Sequence, residues 1–129
     1  MVFWILAGLI VHLVGVFLPT FLYLPTEGIQ GQVGPHDAQP EPNKMTMRAR
    51  RAQANMQENL PFFLTLGVLA LVVPGANLSL AITGAIMFVL ARVFYIPSYL
   101  LALNWIRSGF YTIGLIGCGV MAWALLQAA

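Results

Sequence analysis

Three short sets of polar residues stand at helical spacing in this chain. Arg51, Asn55 and Glu58 are spaced i, i+4, i+7; Arg92, Tyr95 and Tyr99 are spaced i, i+3, i+7; Arg107 and Tyr111 lie one turn apart, with Ser108 beside the arginine. On a helix each set occupies one face. Three arginines against one carboxylate leave an excess of positive charge, so the chemistry on offer is the binding of an anion. Guanidinium forks pair with carboxylates through two parallel hydrogen bonds, while Glu58 and Asn55 suit an ammonium or amide group. Tyrosines add neutral hydroxyl donors and flat walls. A small zwitterionic or polyanionic metabolite fits this set, with a lipophilic small-molecule co-substrate arriving from a lipid phase.

A lipid phase is what the rest of the chain requires. Of its 129 residues 60% are apolar and only 8% charged, six basic and four acidic, whereas about a quarter of a soluble domain is charged. A water-soluble globule would lack polar surface, and so apolar a chain does not stay disordered in water. The single cysteine, Cys118, excludes an intrachain disulfide framework and a multi-cysteine zinc module. Lys44, Arg48, Arg50 and Arg51 put four of the six basic residues into one short stretch. That stretch reads as a membrane-orientation signal or an anion site; nucleic-acid binding would need basic residues interleaved with an exposed polar face. The expected fold class is an all-α membrane protein, a four-transmembrane-helix up-and-down bundle forming a single domain over 1–129, with membrane lipids as its surroundings.

A helix crosses the hydrocarbon core with about 20 mostly apolar residues. Residues 1–24 hold no charged side chain and lack the basic start and cleavage site of a signal peptide, so they read as a retained span. From 25 to 43, Pro25, Gly28, Gly31, Gly34, Pro35, Pro40 and Pro42 are mixed with Glu27, Asp37 and Glu41, which predicts a polar loop. Apolar sequence then resumes, broken at Pro74-Gly75-Ala76-Asn77 and between Asn104 and Gly109. Helices are expected near 1–24, 44–73, 78–104 and 107–127, the second and third antiparallel across a short turn. Pro61 and Pro97 fall inside two of them, as membrane helices tolerate. The basic residues gather at the end that carries the 25–43 loop and the 104–109 turn. The positive-inside rule puts that end in the cytoplasm and both termini on the opposite side, with a bacterial inner membrane as the expected location.

Depth follows from the rise per residue. At ~1.5 Å per residue, Arg51 lies ~10 Å and Glu58 ~21 Å from the cytoplasmic end of the second helix, and Tyr99 ~8 Å and Arg92 ~18 Å from that of the third. An ionisable group inside a membrane helix costs roughly 2.5–3.5 kcal/mol on insertion scales, and by default signals function. Three helices thus place polar groups in the same half of the bilayer, with Glu58 level with Arg92, which predicts a cytoplasm-facing pocket. Each residue alone also has a structural reading. Glu58 and Arg92 can form a buried pair that fixes helix register, Arg48 and Arg50 can face lipid phosphates, and Tyr95, Tyr99 and Tyr111 can belong to an interfacial belt. His12 has no acidic or cysteine partner near in sequence, and His36 and Asp37 with Glu27 and Glu41 match no coordination spacing, so no metal site is expected. Cys118 lies among Gly114, Gly117 and Gly119, a small-residue packing face.

The run Arg48-Ala49-Arg50-Arg51-Ala52-Gln53-Ala54-Asn55-Met56-Gln57-Glu58-Asn59-Leu60-Pro61-Phe62 resembles the second-helix signature of the MAPEG family, the membrane-associated proteins in eicosanoid and glutathione metabolism. Arg92, Tyr95 and Tyr99 resemble its third-helix pattern, and Trp105-Ile106-Arg107-Ser108-Gly109-Phe110-Tyr111 the start of its fourth helix. The resemblance covers residues 44–129 and is of the prokaryotic type; the first helix matches only in length and hydrophobicity. It implies a homotrimer with glutathione as co-substrate between neighbouring subunits near the cytoplasmic face. Arg51, Asn55, Glu58, Tyr95 and Tyr99 match positions that hold the tripeptide; Gln53, Arg92 and Tyr111, in the same motifs, are further glutathione-binding candidates. Arg107 matches the arginine that activates the glutathione thiol, with Ser108 a second catalytic candidate. The implied activity is that of a glutathione-dependent transferase or peroxidase acting on a lipophilic electrophile. Two other readings are a non-catalytic family member that binds lipid or a membrane partner, and a small multidrug-type transporter. The latter would carry its membrane glutamate in the first helix, whereas here Glu58 stands in the second among arginines.

Overall fold

The computed structural model describes residues 1–35, 37 and 39–128. Four helices follow one another: α1 (Val2–Val33), α2 (Lys44–Val72), α3 (Leu78–Leu100) and α4 (Asn104–Leu126), and no strand occurs among the described residues. By length and composition α1, α3 and α4 can each cross a membrane. α2 is 29 residues long, but spends its first half on Lys44, Arg48, Arg50, Arg51 and Glu58. It joins the bundle through one face, burying Ala49, Ala52, Met56, Leu60, Phe63, Gly67 and Ala70 at intervals of three and four.

The loop expected from residue 25 begins later. Pro25 removes one hydrogen bond near a helix end, a loss the chain absorbs, and the helix breaks instead at Gly28, where φ is 74° and ψ 168°. Only glycine takes that backbone readily. Beyond Gly28 a last helical turn folds back: Gln32 Nε2 donates to the Thr20 carbonyl at 2.9 Å, although twelve residues of straight helix would separate them by ~18 Å. The return chain then runs along the end of α1, where the Tyr23 hydroxyl donates to the Pro40 carbonyl. Asn43 caps α2 by accepting from the Thr46 amide at 2.8 Å.

The third and fourth helices also have shifted bounds. α3 ends at Leu100 and α4 starts at Asn104, three residues earlier than expected, because Leu101, Ala102 and Leu103 suffice to reverse the chain. Ala102 makes the turn with φ at 58°, and the Leu103 amide donates to the Ser98 carbonyl at 2.9 Å.

The core is aromatic and methionine-rich. Phe63 of α2 stacks on Phe88 of α3 with ring centroids 4.4 Å apart, alongside Met56, Leu60, Val89 and Met121. α3 and α4 meet backbone to backbone at Gly84 and Gly117: a Cβ on Gly117 would sit 2.6 Å from the Gly84 carbonyl oxygen. Asn77 ties the α2–α3 turn to the end of α4, its amide donating to the Ala124 carbonyl at 3.2 Å. Met1 packs on the cluster of Ala70, Ala81 and Ala124. Both termini and the 74–77 turn therefore share one end of the bundle. At the other end Arg48 Nη1 donates to the Leu100 carbonyl at 2.9 Å, bringing the basic start of α2 to the α3–α4 turn.

Candidate functional site

At that basic end, Asn55 of α2, Tyr95 and Tyr99 of α3, and Arg107, Ser108, Tyr111 and Thr112 of α4 line a cavity of about 290 Å³. Helical spacing aims these side chains, and the short α3–α4 turn sets the two helices side by side. Tyr95 and Tyr99 meet edge to face with centroids 5.6 Å apart. The half-buried Arg107 lies with Cζ 4.5 Å from the Tyr99 ring centroid. Ser108 donates to the Asn104 carbonyl at 2.9 Å and Thr112 to the Ser108 carbonyl at 3.0 Å, so both hydroxyl protons are spent on the helix backbone. The available cationic donor of the cavity is Arg107.

Behind this wall lies Arg92, only 1% exposed. Its Nη1 donates to Asn55 Oδ1 at 2.8 Å. Its guanidinium faces the rings of Phe88, Tyr95 and Tyr111 at 5.0, 5.4 and 5.5 Å, contacts that hold a desolvated cation. Gly114 of α4 packs against it: a Cβ there would lie 3.5 Å from Nε, an ordinary contact distance.

The remaining expected residues fall elsewhere. Glu58 is exposed and does not pair with Arg92 among the described residues; Asn55 takes that place. Three positions beyond Asn55, Glu58 is turned about 60° round the helix, into a mostly apolar groove of about 460 Å³ with Asn59, Phe62, Tyr111 and Cys118. Arg51 is exposed and outside the 290 Å³ cavity. Gln53, turned about 160° from Asn55, lines a second cavity of about 410 Å³ with Tyr23, Glu27, Gln39 and Arg50 on the far side of α2. There the Arg50 guanidinium lies 5.1 Å over the Tyr23 ring rather than facing only lipid phosphates. Thr112 and Tyr23 join these sites without having stood out in the sequence. Thr112 was detectable as the residue four beyond Ser108, whereas Tyr23 lay inside an apolar run that gave no signal. No three His, Cys, Asp or Glu side chains come together among the described residues, and His36 lies outside them.

A family model, that of the MAPEG family, matches residues 1–127. The chain belongs to the MAPEG family. The match takes in α1, which by its sequence alone resembles the family only in length and hydrophobicity. With three helices apolar enough to span, this MAPEG member is an integral membrane protein built as a helical bundle. Neither a curated protein nor a solved structure matches the chain.

Proposed function

We propose that this MAPEG protein is a glutathione-dependent membrane transferase or peroxidase, which binds glutathione between neighbouring subunits of a homotrimer and activates its thiol with Arg107. One observation carries the reading: Arg107 stands at the wall of the 290 Å³ cavity against the face of Tyr99, and its guanidinium has no carboxylate partner among the described residues. A free thiol titrates near ~8.5, and an adjacent cation favours the nucleophilic thiolate. A depression of two units asks for about 2.7 kcal/mol, within reach of one arginine in a site shielded from water. The thiolate attacks an electrophilic carbon, forming the S–C bond as the leaving group departs with its electron pair. With a lipid hydroperoxide, two glutathiones supply the two electrons and end as the disulfide, releasing an alcohol and water.

The remaining motif residues support a site shared between copies. Arg51 and Glu58 are exposed on one subunit, and Gln53 looks out from the opposite side of α2. A neighbouring copy covers both faces, so Arg51, Asn55, Glu58, Tyr95 and Tyr99 hold the tripeptide from one subunit while Gln53 reaches it from the next. The lipophilic substrate lies along the apolar groove of α2 and α4. The site opens to the cytoplasm, with the termini on the other side of a bacterial inner membrane.

The test is spectroscopic. Protein purified in gentle detergent and mixed with glutathione develops ultraviolet thiolate absorbance at neutral pH and turns over a halonitrobenzene. Arg107→Ala removes the thiolate absorbance and lowers turnover about 100- to 1000-fold. A stable trimer with neither signal overturns the assignment in favour of a non-catalytic member.

A further inference from the structure

We infer that Arg92 is a positioning residue: it clamps the Asn55 amide so that this side chain presents only N–H donors to the cavity, selecting a hydrogen-bond acceptor at that end of the ligand. The identity of the ligand rests on the function proposed above; the clamp stands on geometry alone. A guanidinium has five donors and no acceptor, whereas a primary amide has one of each kind of end. With Arg92 Nη1 held 2.8 Å from Asn55 Oδ1, the amide oxygen is committed to the arginine and its NH₂ group turns away. A flipped amide would set donor against donor beside a buried cation.

The clamp is itself fixed. Arg92 is 1% exposed, and its Nε and Nη2 are buried with no hydrogen-bond partner among the described residues. Asn55 is thus the one hydrogen-bond outlet of this guanidinium, and in a low-dielectric interior such a bond is costly to give up. Phe88, Tyr95 and Tyr111 face the cation, and Gly114 of α4 lies against it. Asn55 lines the cavity and Arg92 does not, so Arg92 acts on the ligand through Asn55. Glu58, the neighbouring carboxylate of α2, is exposed and leaves the amide undisturbed. A carboxylate or peptide carbonyl is the group such a donor end selects.

Two readouts test this. In protein labelled with ¹⁵N-asparagine, the Asn55 side-chain NH₂ signal is assigned by its loss in Asn55→Asp. Arg92→Gln, whose amide can turn either end toward Asn55, shifts that signal, and Arg92→Lys, which keeps a donor, restores most of it. With reduced glutathione, Arg92→Gln raises KM about tenfold, as expected for one lost polar contact, while kcat falls by less. Asn55→Asp has the same sense, and the double variant loses no more than the worse single one. An Asn55 signal unmoved by Arg92→Gln, or kcat and KM losses that only follow a lowered unfolding temperature, overturns the inference. If the unaltered protein does not bind glutathione, the proposed function fails, and the clamp is judged by the amide signal alone.

Discussion

The same two helices, α3 and α4, behave differently at their two ends. Toward the termini they touch through backbone: Gly84 faces Gly117, and Met121 and Ala124 are fully buried beside them. Toward the connecting turn the residues that face each other are Tyr95, Tyr99, Arg107 and Tyr111, and the space between them is a cavity of about 290 Å³. Side-chain size explains both. Small residues let membrane helices approach closely and gain dispersion contacts, whereas stiff rings and guanidinium planes prop them and leave gaps that polar groups line. Arg92 marks the changeover, with the last of the packing glycines, Gly114, opposite it. One end is closed by backbone contact and the other holds an open cavity lined by polar groups.

Arg107→Ala is the largest expected break in that comparison, because it acts on the open end alone. Loss of a preorganised charge beside the reacting atom costs about 100- to 1000-fold in rate, so turnover of a halonitrobenzene falls by that factor while the unfolding temperature stays near that of the unaltered protein. Equal losses of stability and rate would mean that Arg107 is a packing residue like those of the closed end. The converse variant, Gly117→Ala, strikes the closed end. Its new methyl would meet the Gly84 carbonyl at 2.6 Å and the Phe88 amide nitrogen at 2.9 Å, and backbone cannot swing aside. Overpacking of this kind costs about 1–3 kcal/mol, read as a drop in unfolding temperature and in recovery from detergent. Gly119→Ala, two positions on with nothing within 4 Å of its Cβ, is the control. It ranges from neutral to about 1 kcal/mol stabilising, through helix propensity. Similar losses from both glycines would remove the case for a backbone contact.

The two ends were not equally legible in the sequence. The clustering of Asn55, Tyr95, Tyr99, Arg107, Ser108 and Tyr111 around one cavity could be read from the 3.6-residue period, because rare polar residues in an apolar chain mark their own face. What each face meets is tertiary information. Glu58 stands only a small rotation from Asn55, yet that rotation carries it out of reach of Arg92 and into the apolar groove. Gln53 lies within the same motif and faces the other way. Punctuation residues misled in a different manner. Pro25 and Gly31 suggested a loop, but a proline costs one backbone bond and the chain stays helical until Gly28 adopts a positive φ. Asn104 and Trp105 suggest a break in the sequence, whereas they open α4. Of the small-residue face expected from Gly114, Gly117 and Gly119, the first two are buried, whereas Gly119 is exposed with nothing within 4 Å of its Cβ; that Gly84 is the counterpart of Gly117 is not visible in the sequence, since α3 shows no such run.

Ala102 offers the smallest effect and the finest test of how the open end is held. It sits in the α3–α4 turn with φ at 58°, a left-handed conformation that costs an L-residue roughly 1–2 kcal/mol. Glycine removes that cost and gives back about 0.4–1 kcal/mol through the greater freedom of the unfolded chain. Ala102→Gly is therefore expected to stabilise by about 0.5–1 kcal/mol, a rise of a few degrees in unfolding temperature. The bonds that place the cavity residues on either side of the turn use backbone groups glycine keeps: Leu103 amide to Ser98 carbonyl at 2.9 Å, and Arg107 amide to Leu103 carbonyl at 2.8 Å. The thiolate signal with glutathione is thus expected to persist in Ala102→Gly. A fall in unfolding temperature would show that the turn does not hold this backbone. A rise accompanied by a weaker thiolate signal would show that strain at Ala102 helps to set Tyr99 against Arg107, placing part of the open end's order in its turn rather than in its rings.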